Sequence, residues 1–443
     1  MSASYRNIAA YLGQLLAEEG EEALLARLRP TPEQESSFRI PGLSRISPRS
    51  LNTLWEAVGT FTEETKAAEL RQELADERTI ACAERYQGNI ENFIGTVKLP
   101  VGLAGPLRVQ GLFAQGDFCV PLATTEAALV ASYHRGALLI TEAGGCTSVL
   151  LAEGVSRAPG FAFPSLAMAG KFVAWAMTQV DTFRTVAEST SRYAKLADLR
   201  VTVEGNHVYL EFEYTTGDAA GQNMVTIATE AVCAYIREHS PVKPDYQFVE
   251  ANLSGDKKAS ARSFLGVRGK KVTAEVVLPA ELVQKRLHTT PETMEQYWRM
   301  SALGGVMSGT IGVQGHYANG LAALYIACGQ DAACVSESAV GVTRFEIREN
   351  GALYAAVTLP NLIVGTVGGG TGLPSQRACL ELLGLAGPGN ARALAEVCAA
   401  LALAGELSII GALAAGDFAR AHHRLARGRG NPEAAPSEKE AGK

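Results

Sequence analysis

Leucines recur at three- to four-residue spacing through residues 1–28, at Leu12, Leu15, Leu16, Leu24, Leu25 and Leu28, and predict a helix there. A Pro- and Ser-rich connection at 30–48 follows, then a charged helical stretch over about 51–83. Together they predict a small N-terminal helical domain over 1–88. From Glu91 the composition changes to Gly, Val and Ala with few charges, the pattern of a buried core. Period-two alternation puts Val208, Leu210, Phe212 and Tyr214 on one face of a strand at 207–214. A helix over 167–186 and a hairpin turn at Gly205-Asn206 come before it. From about Asp218 to Ile236 the spacing of Val225, Ala228, Val232 and Ile236 turns helical. These form a self-contained α–β–β–α unit over 167–248, between the segments at 89–166 and 249–427. The apolar run at 397–416 is interrupted by Glu406 and rich in small residues, so it reads as a buried helix and not a membrane span. The tail at 428–443, rich in Arg, Gly, Pro, Glu and Lys, reads as disordered. The expected fold class is α+β.

Composition narrows the chemistry. Hydrophobic residues make up 47% and charged residues 19% of the chain, an ordinary soluble balance. A net charge of −6 weighs against nucleic acid or an anionic membrane as the main partner. The 8 cysteines are scattered, with no Cys-x-x-Cys pair and no alternation with His. They read as reduced, buried thiols, and no metal site is expected. The N-terminus shows no basic segment leading into an apolar run, so the expectation is a cytoplasmic protein without a signal peptide.

Gly217-Asp-Ala-Ala-Gly221, continuing into Gln222-Asn223, lies where the strand gives way to the helix. A helix start offers free N–H groups and the positive end of the macrodipole, and side chains this small admit a phosphate. Close packing through small residues is the competing explanation. Glu126, in Ala-Thr-Thr-Glu-Ala, would open an apolar helix either as a dipole partner or as an acid. Lys257 and Lys258 follow Asp256 in a segment that could equally be a solvated loop. Asp331 lies among small apolar residues, where an ionised carboxylate needs a partner. His422 ends the long apolar helix and starts the basic tail. Gly365-Thr-Val-Gly-Gly-Gly-Thr371 lacks the order of a Rossmann fingerprint and reads as a turn or a weak phosphate loop.

In this order these segments, with Glu91-Asn-Phe-Ile-Gly95, Pro100-Val-Gly-Leu-Ala-Gly-Pro106, Ala327-Cys-Gly-Gln-Asp331 and Ala404-Gly-Glu-Leu-Ser408, resemble the class I type of hydroxymethylglutaryl-coenzyme A reductase. The resemblance covers roughly 90–427. It implies a large domain with a long central helix and an inserted ferredoxin-like domain that binds NADPH. It also implies a homodimer with a shared active site, with a tetramer as the alternative assembly. Glu126, Lys257, Asp331 and His422 match the catalytic positions. Ser191, Arg192, Asp218, Ala219, Ala220, Gly221, Gln222, Asn223, Gly368, Gly369 and Arg427 match cofactor positions. Glu91, Glu250, Asn252, Asp256, Lys258, His316 and Asn319 match substrate positions. The implied reaction is an NADPH-dependent four-electron reduction of an acyl thioester to a primary alcohol, with hydroxymethylglutaryl-coenzyme A to mevalonate as the leading reading and a thioester on a carrier protein as an alternative.

Departures from the family pattern cluster in substrate recognition. Glu250 stands where the family carries a carboxylate-binding Ser, Met300 or Ser301 where it carries a Lys, and Val149, Ser165 and His288 where it carries cations. Gln222 replaces a common Met. Glu250 is therefore expected to repel an acidic acyl tail. A less acidic thioester becomes the second reading of the substrate, and a non-catalytic regulator or scaffold the third.

Overall fold

The leucine-periodic segment forms two helices instead of one, α1 (Tyr5–Glu19) and α2 (Glu21–Leu28), because Gly20 between them sits at φ +78. The structure, a computed structural model, describes residues 5–30, 36 and 38–416. The chain divides into two compact units, residues 1–97 and 98–443.

In the first unit the charged stretch becomes three helices, α3 (Pro48–Gly59), α4 (Glu64–Leu74) and α5 (Glu77–Ala81). Ser47 starts α3 with a reciprocal cap: its Oγ accepts from Ser50 N at 3.1 Å, and Ser50 Oγ accepts from Ser47 N at 2.8 Å. Leu51 and Trp55 of α3 pack with Ile46, Ala75, Ala83 and Phe93. The unit runs past the expected boundary at 88, because Phe93 belongs to this core and the Ile94 carbonyl accepts from Trp55 Nε1 at 2.9 Å.

The second unit is a mixed α/β fold on a largely antiparallel sheet. Its chain order begins β1 (Val101–Gly111), β2 (Gln115–Ala123), α6 (Leu129–Glu142), β3 (Cys146–Arg157), β4 (Gly160–Ala162), α7 (Leu166–Thr178), α8 (Val180–Ser189), β5 (Lys195–Glu204), β6 (His207–Thr215), α9 (Gln222–His239) and β7 (Tyr246–Phe248). It continues β8 (Gly269–Leu278), α10 (Ala280–Leu287), α11 (Pro291–Ser308), α12 (Tyr317–Ala327), α13 (Val335–Ser338), β9 (Val342–Ile347), β10 (Leu353–Leu362), α14 (Pro374–Leu382) and α15 (Ala391–Ala414). The strands follow the order β7-β4-β6-β3-β8-β10-β9; β1 joins β3 and β2, and β5 joins β6.

β3 belongs to both halves of this sheet. Its first residues pair in parallel with β1 and antiparallel with β8, and its last three, Val155–Arg157, pair with Phe212–Tyr214 of β6. Two cores flank it. The smaller holds Val155, Phe161 and Phe163 with Phe172, Phe183, Val208, Leu210, Phe212, Tyr214, Val225, Val232 and Ile236. The expected helix at 167–186 breaks at Gln179, whose side-chain oxygen accepts from the Tyr235 hydroxyl at 3.0 Å, and α8 packs on α9.

The larger core surrounds α15, which begins at Ala391, six residues ahead of the predicted start. α15 is long and apolar enough to cross a membrane, yet most of it is buried inside the molecule. α6 crosses it so closely that a Cβ on Gly136 would land on the Ala404 carbonyl. Burying a carboxylate here is costly unless it is hydrogen-bonded. Glu396 accepts from the backbone N–H of Leu112, Phe113, Ala114 and Leu150 at 2.8–3.2 Å. Glu406 accepts from Gly315 N, His316 N and Thr343 Oγ1 at 2.7–2.8 Å.

Candidate active site

The segment from Glu250 to Ser260 is a loop held from several sides. Asn252 and Lys257 both lie in the left-handed region, at φ +65 and +55, which a side-chain-bearing residue keeps only when its surroundings over-determine it. Glu250 Oε1 accepts from Asn252 N at 2.7 Å, and its Oε2 accepts from Ser254 Oγ at 2.9 Å, Ala158 N at 3.3 Å and Arg157 Nη1 at 3.5 Å. This corrects the expectation for Glu250. Its carboxylate shapes the loop and is not free to meet an acyl tail. Lys257 N donates to Glu337 Oε1 at 3.1 Å.

Beneath the loop lies a buried charge network. Asp256 Oδ2 accepts from Arg157 Nη1 and its Oδ1 from Arg268 Nη2, each at 2.7 Å. Arg268 Nη1 reaches both oxygens of Glu337, at 2.6 and 2.5 Å. Burial pushes the Asp256 carboxyl up, but Arg268 and Arg157 outweigh it and hold it below its ordinary value. At Glu337 burial wins over Arg268 and the carboxyl is raised. Sequence reasoning missed Arg157, Arg268 and Glu337. A charged residue ending an apolar strand (Arg157) or preceding one (Arg268) was the available signal.

Lys257 Nζ meets Asp331 Oδ2 at 2.7 Å, with the side chains 42% and 41% exposed. Asp331 Oδ1 accepts from Ala333 N at 3.0 Å. The hydrogen bond that Lys257 donates to Asp331 is the main reason its ammonium is held above its ordinary range. Lys258 Nζ donates to the Asp256 carbonyl at 2.9 Å.

Glu126 does not open a helix: α6 starts at Leu129, after Ala128 at φ +69. Its exposed carboxylate accepts from Asn319 Nδ2 at 2.8 and 3.1 Å. Asn319 is in the first turn of α12, and Asp331 follows the other end of that helix. From Asn319 to Ala327 the helix rises about 12 Å. Within one chain, therefore, the length of α12 separates Asp331 from Glu126. His316 precedes α12, with its ring stacked on Tyr133 at 5.1 Å and its Nδ1 3.4 Å from Glu406. Its buried Nε2 has no partner among the described residues.

The helix expected from Asp218 starts four residues later, at Gln222, with Gly221 before it at φ +82. The delay has a cause in Asp218, whose carboxylate leaves the turn to accept from Gly389 N at 2.8 Å and Ala391 N at 3.1 Å, the start of α15. No side chain caps α9, so its first N–H groups remain available to an anion. The Gly365 loop docks on this turn. Thr366 N donates to Asp218 O at 2.9 Å, and a Cβ on Gly365 would strike Ala220 N. Gly368 and Gly369 have open space around them, and Ala219, Ala220 and Asn223 line the same turn with small or exposed side chains. Ser191 Oγ accepts from Tyr193 N and Ala194 N, and Arg192 is exposed beside the Tyr193 ring.

Glu91 is exposed in the first unit. Ser165 caps α7, and His288 ends α10 at φ +54. His422 and Arg427 lie outside the described residues. Among the described residues no cluster of His, Cys, Asp and Glu is arranged for a metal.

The family profile described as hydroxymethylglutaryl-coenzyme A reductase matches residues 56–427. The chain belongs to this family. It is similar to the 3-hydroxy-3-methylglutaryl-coenzyme A reductase of Pyrococcus horikoshii, 44% identical over 346 residues, or 76% of this chain and 84% of that one. The enzyme of the same name from Aeropyrum pernix is 45% identical over 351 residues, 78% of this chain and 83% of the relative. Among solved structures of the family, a class II reductase from Streptococcus pneumoniae, bound to NADPH in open conformations, superposes with a TM-score of 0.61. It is 20% identical and covers 83% of this chain and 97% of its own, a likeness of fold.

Proposed function

We propose that the chain reduces hydroxymethylglutaryl-coenzyme A to mevalonate with NADPH. The observation that carries this is the Lys257–Asp331 pair, set on a buried charge network in a chain whose relatives bear that enzyme's name. The class I assignment rests on the motifs alone.

The cofactor fits what the chain presents. The uncapped start of α9, the small residues of its turn and the open Gly368-Gly369 loop suit a pyrophosphate, and the exposed Arg192 suits a 2′-phosphate. NADPH supplies hydride when bound. Asp218 fixes the turn on α15 instead of meeting the cofactor. In this reading 167–248 is the ferredoxin-like cofactor domain. Ser191 shapes the turn that carries Arg192, and Arg427 is assigned to the same group by its motif match alone.

The thioester carbonyl accepts one hydride to give a thiohemiacetal oxyanion, which the Lys257 ammonium stabilises. Collapse breaks the carbon–sulfur bond to an aldehyde and a thiolate, and His422 is assigned the proton for that thiolate. A second molecule of NADPH would supply the second hydride, for which Glu126 would give the aldehyde oxygen its proton. Asp331 keeps Lys257 charged. Asn252, Asp256, Lys258, His316 and Asn319 are assigned to the substrate's edges. Glu126 and the Lys257–Asp331 pair lie at opposite ends of α12, so one complete site takes Glu126 from one protomer and the lysine pair from its partner. The exposed apolar face of α11, Met300, Leu303, Val306 and Met307, is the surface assigned to that partner.

The deciding experiment is NADPH oxidation across a panel of thioesters, with products identified by mass spectrometry. Mevalonate from hydroxymethylglutaryl-coenzyme A is the expected result. Turnover of only neutral acyl thioesters would overturn the substrate.

A further inference from the structure

Gln222 opens α9, the helix assigned to the cofactor pyrophosphate, yet its side chain is committed to two arginines. Its Oε1 accepts from Arg268 Nη2 at 2.6 Å and from Arg157 Nη2 at 3.2 Å, and its carbonyl accepts from Arg157 Nη2 at 3.3 Å. Each of these arginines also holds one oxygen of Asp256, the residue before Lys257. Gln222, Arg268, Asp256 and Arg157 therefore close a ring of hydrogen bonds. Glu337 extends it, taking Arg268 Nη1 on both oxygens and Lys257 N on one.

We propose that Gln222 is a positioning residue that ties the start of α9 to the Lys257 loop through Arg268, so that a filled cofactor site holds the lysine in its working geometry. The proposal rests on the assignment of α9 to the cofactor and of Lys257 to the oxyanion.

Three observations carry it. Arg268 is only 3% exposed, and its guanidinium is a rigid plane, so displacement of Gln222 passes to Asp256 and Glu337 instead of being absorbed by solvent. Lys257 sits at φ +55, a conformation kept by the bonds around it, so a loosened ring releases that backbone first. Arg157 and Arg268 each already leave Nε without a partner among the described residues, so neither has an acceptor to spare.

Gln222→Met keeps the length of the side chain and removes the acceptor; Gln222→Glu keeps an acceptor. Steady-state kinetics with hydroxymethylglutaryl-coenzyme A and NADPH should show kcat falling roughly ten- to a hundred-fold in Gln222→Met, with the KM for NADPH little changed. Gln222→Glu should recover most of that kcat. A second measurement follows modification of Lys257 by an amine-reactive reagent, read by mass spectrometry. NADP+ should change the labelling rate in the wild type and leave it unchanged in Gln222→Met. A raised KM with intact kcat would make Gln222 a plain cofactor contact and overturn the proposal. So would wild-type kinetics in Gln222→Met, or a labelling rate in wild type that ignores NADP+. Failure of the assigned reaction would instead appear as a wild type inactive on this thioester, and the labelling arm still tests the tie.

Discussion

Replacing Glu337 with Gln should weaken the second unit and the reaction together. Glu337 is fully buried and gives its two oxygens to Arg268, itself 3% exposed, and to the backbone N–H of Lys257. The amide keeps one acceptor, turns a donor toward a guanidinium and removes the countercharge. Breaking a buried ion pair from one side costs about 3–5 kcal/mol. Arg268 still has Asp256 at 2.7 Å, so the lower end applies, about 3 kcal/mol. With about 2 cal/mol/K of unfolding entropy per residue over roughly 350 residues, that is a drop of roughly 4 °C in melting temperature. Differential scanning fluorimetry of the purified variant, beside NADPH oxidation on the same preparation, measures both effects. kcat should fall as well, because the one remaining oxygen must serve both Arg268 and the N–H of the strained Lys257. A variant that melts within 1 °C of wild type and turns over normally would refute the claim that this pair supports the Lys257 loop.

Lys257→Ala and Glu126→Gln should each reduce thioester turnover by roughly a hundred-fold or more with unchanged melting; full activity in either would remove that residue from the chemistry. Asp331→Asn removes the main cause of the raised Lys257 pKa. With that pKa raised in the fold, lysine protonation is held to higher pH and lost as pH climbs through it. The alkaline limb of the pH–rate profile should therefore move to lower pH in Asp331→Asn, and a limb that stays in place would contradict the pairing. Arg192→Ala should raise the KM for NADPH more than for NADH, since only NADPH carries the 2′-phosphate; equal changes would take Arg192 off that group. Gly365→Ala should raise the KM for NADPH, because the added methyl meets Ala220 N and, at 2.8 Å, Asp218 O; an unchanged KM would separate this loop from the cofactor turn.

Much of this molecule was legible in the sequence wherever a local period decided the structure. Val208, Leu210, Phe212 and Tyr214 alternate into the smaller core, and Glu406 in an apolar run marked the central helix. The misses share a physical origin in partners distant along the chain. Asp218 looked like part of a helix start, but Gly389 and Ala391 draw its carboxylate away. Glu250 looked like a repulsive pocket charge because nothing nearby in sequence announced Arg157 and Ala158 as its partners. The break at Gln179 depends on Tyr235, 56 residues away.

The continuity of β3 limits how the cofactor specificity of this chain can be re-engineered. A cassette cut at 167–248 would leave Val155, Phe161 and Phe163 behind, stripping its core, and would strand β6 without its β3 partner. Moving the cut upstream to keep them severs the strand at the residues that include Arg157, whose guanidinium reaches Asp256 and Gln222. Grafting a homologous module would thus import a foreign register into the catalytic floor. On the proposed assignment of Arg192, cofactor preference is better altered one side chain at a time, there and at its neighbours, than by exchanging the unit whole.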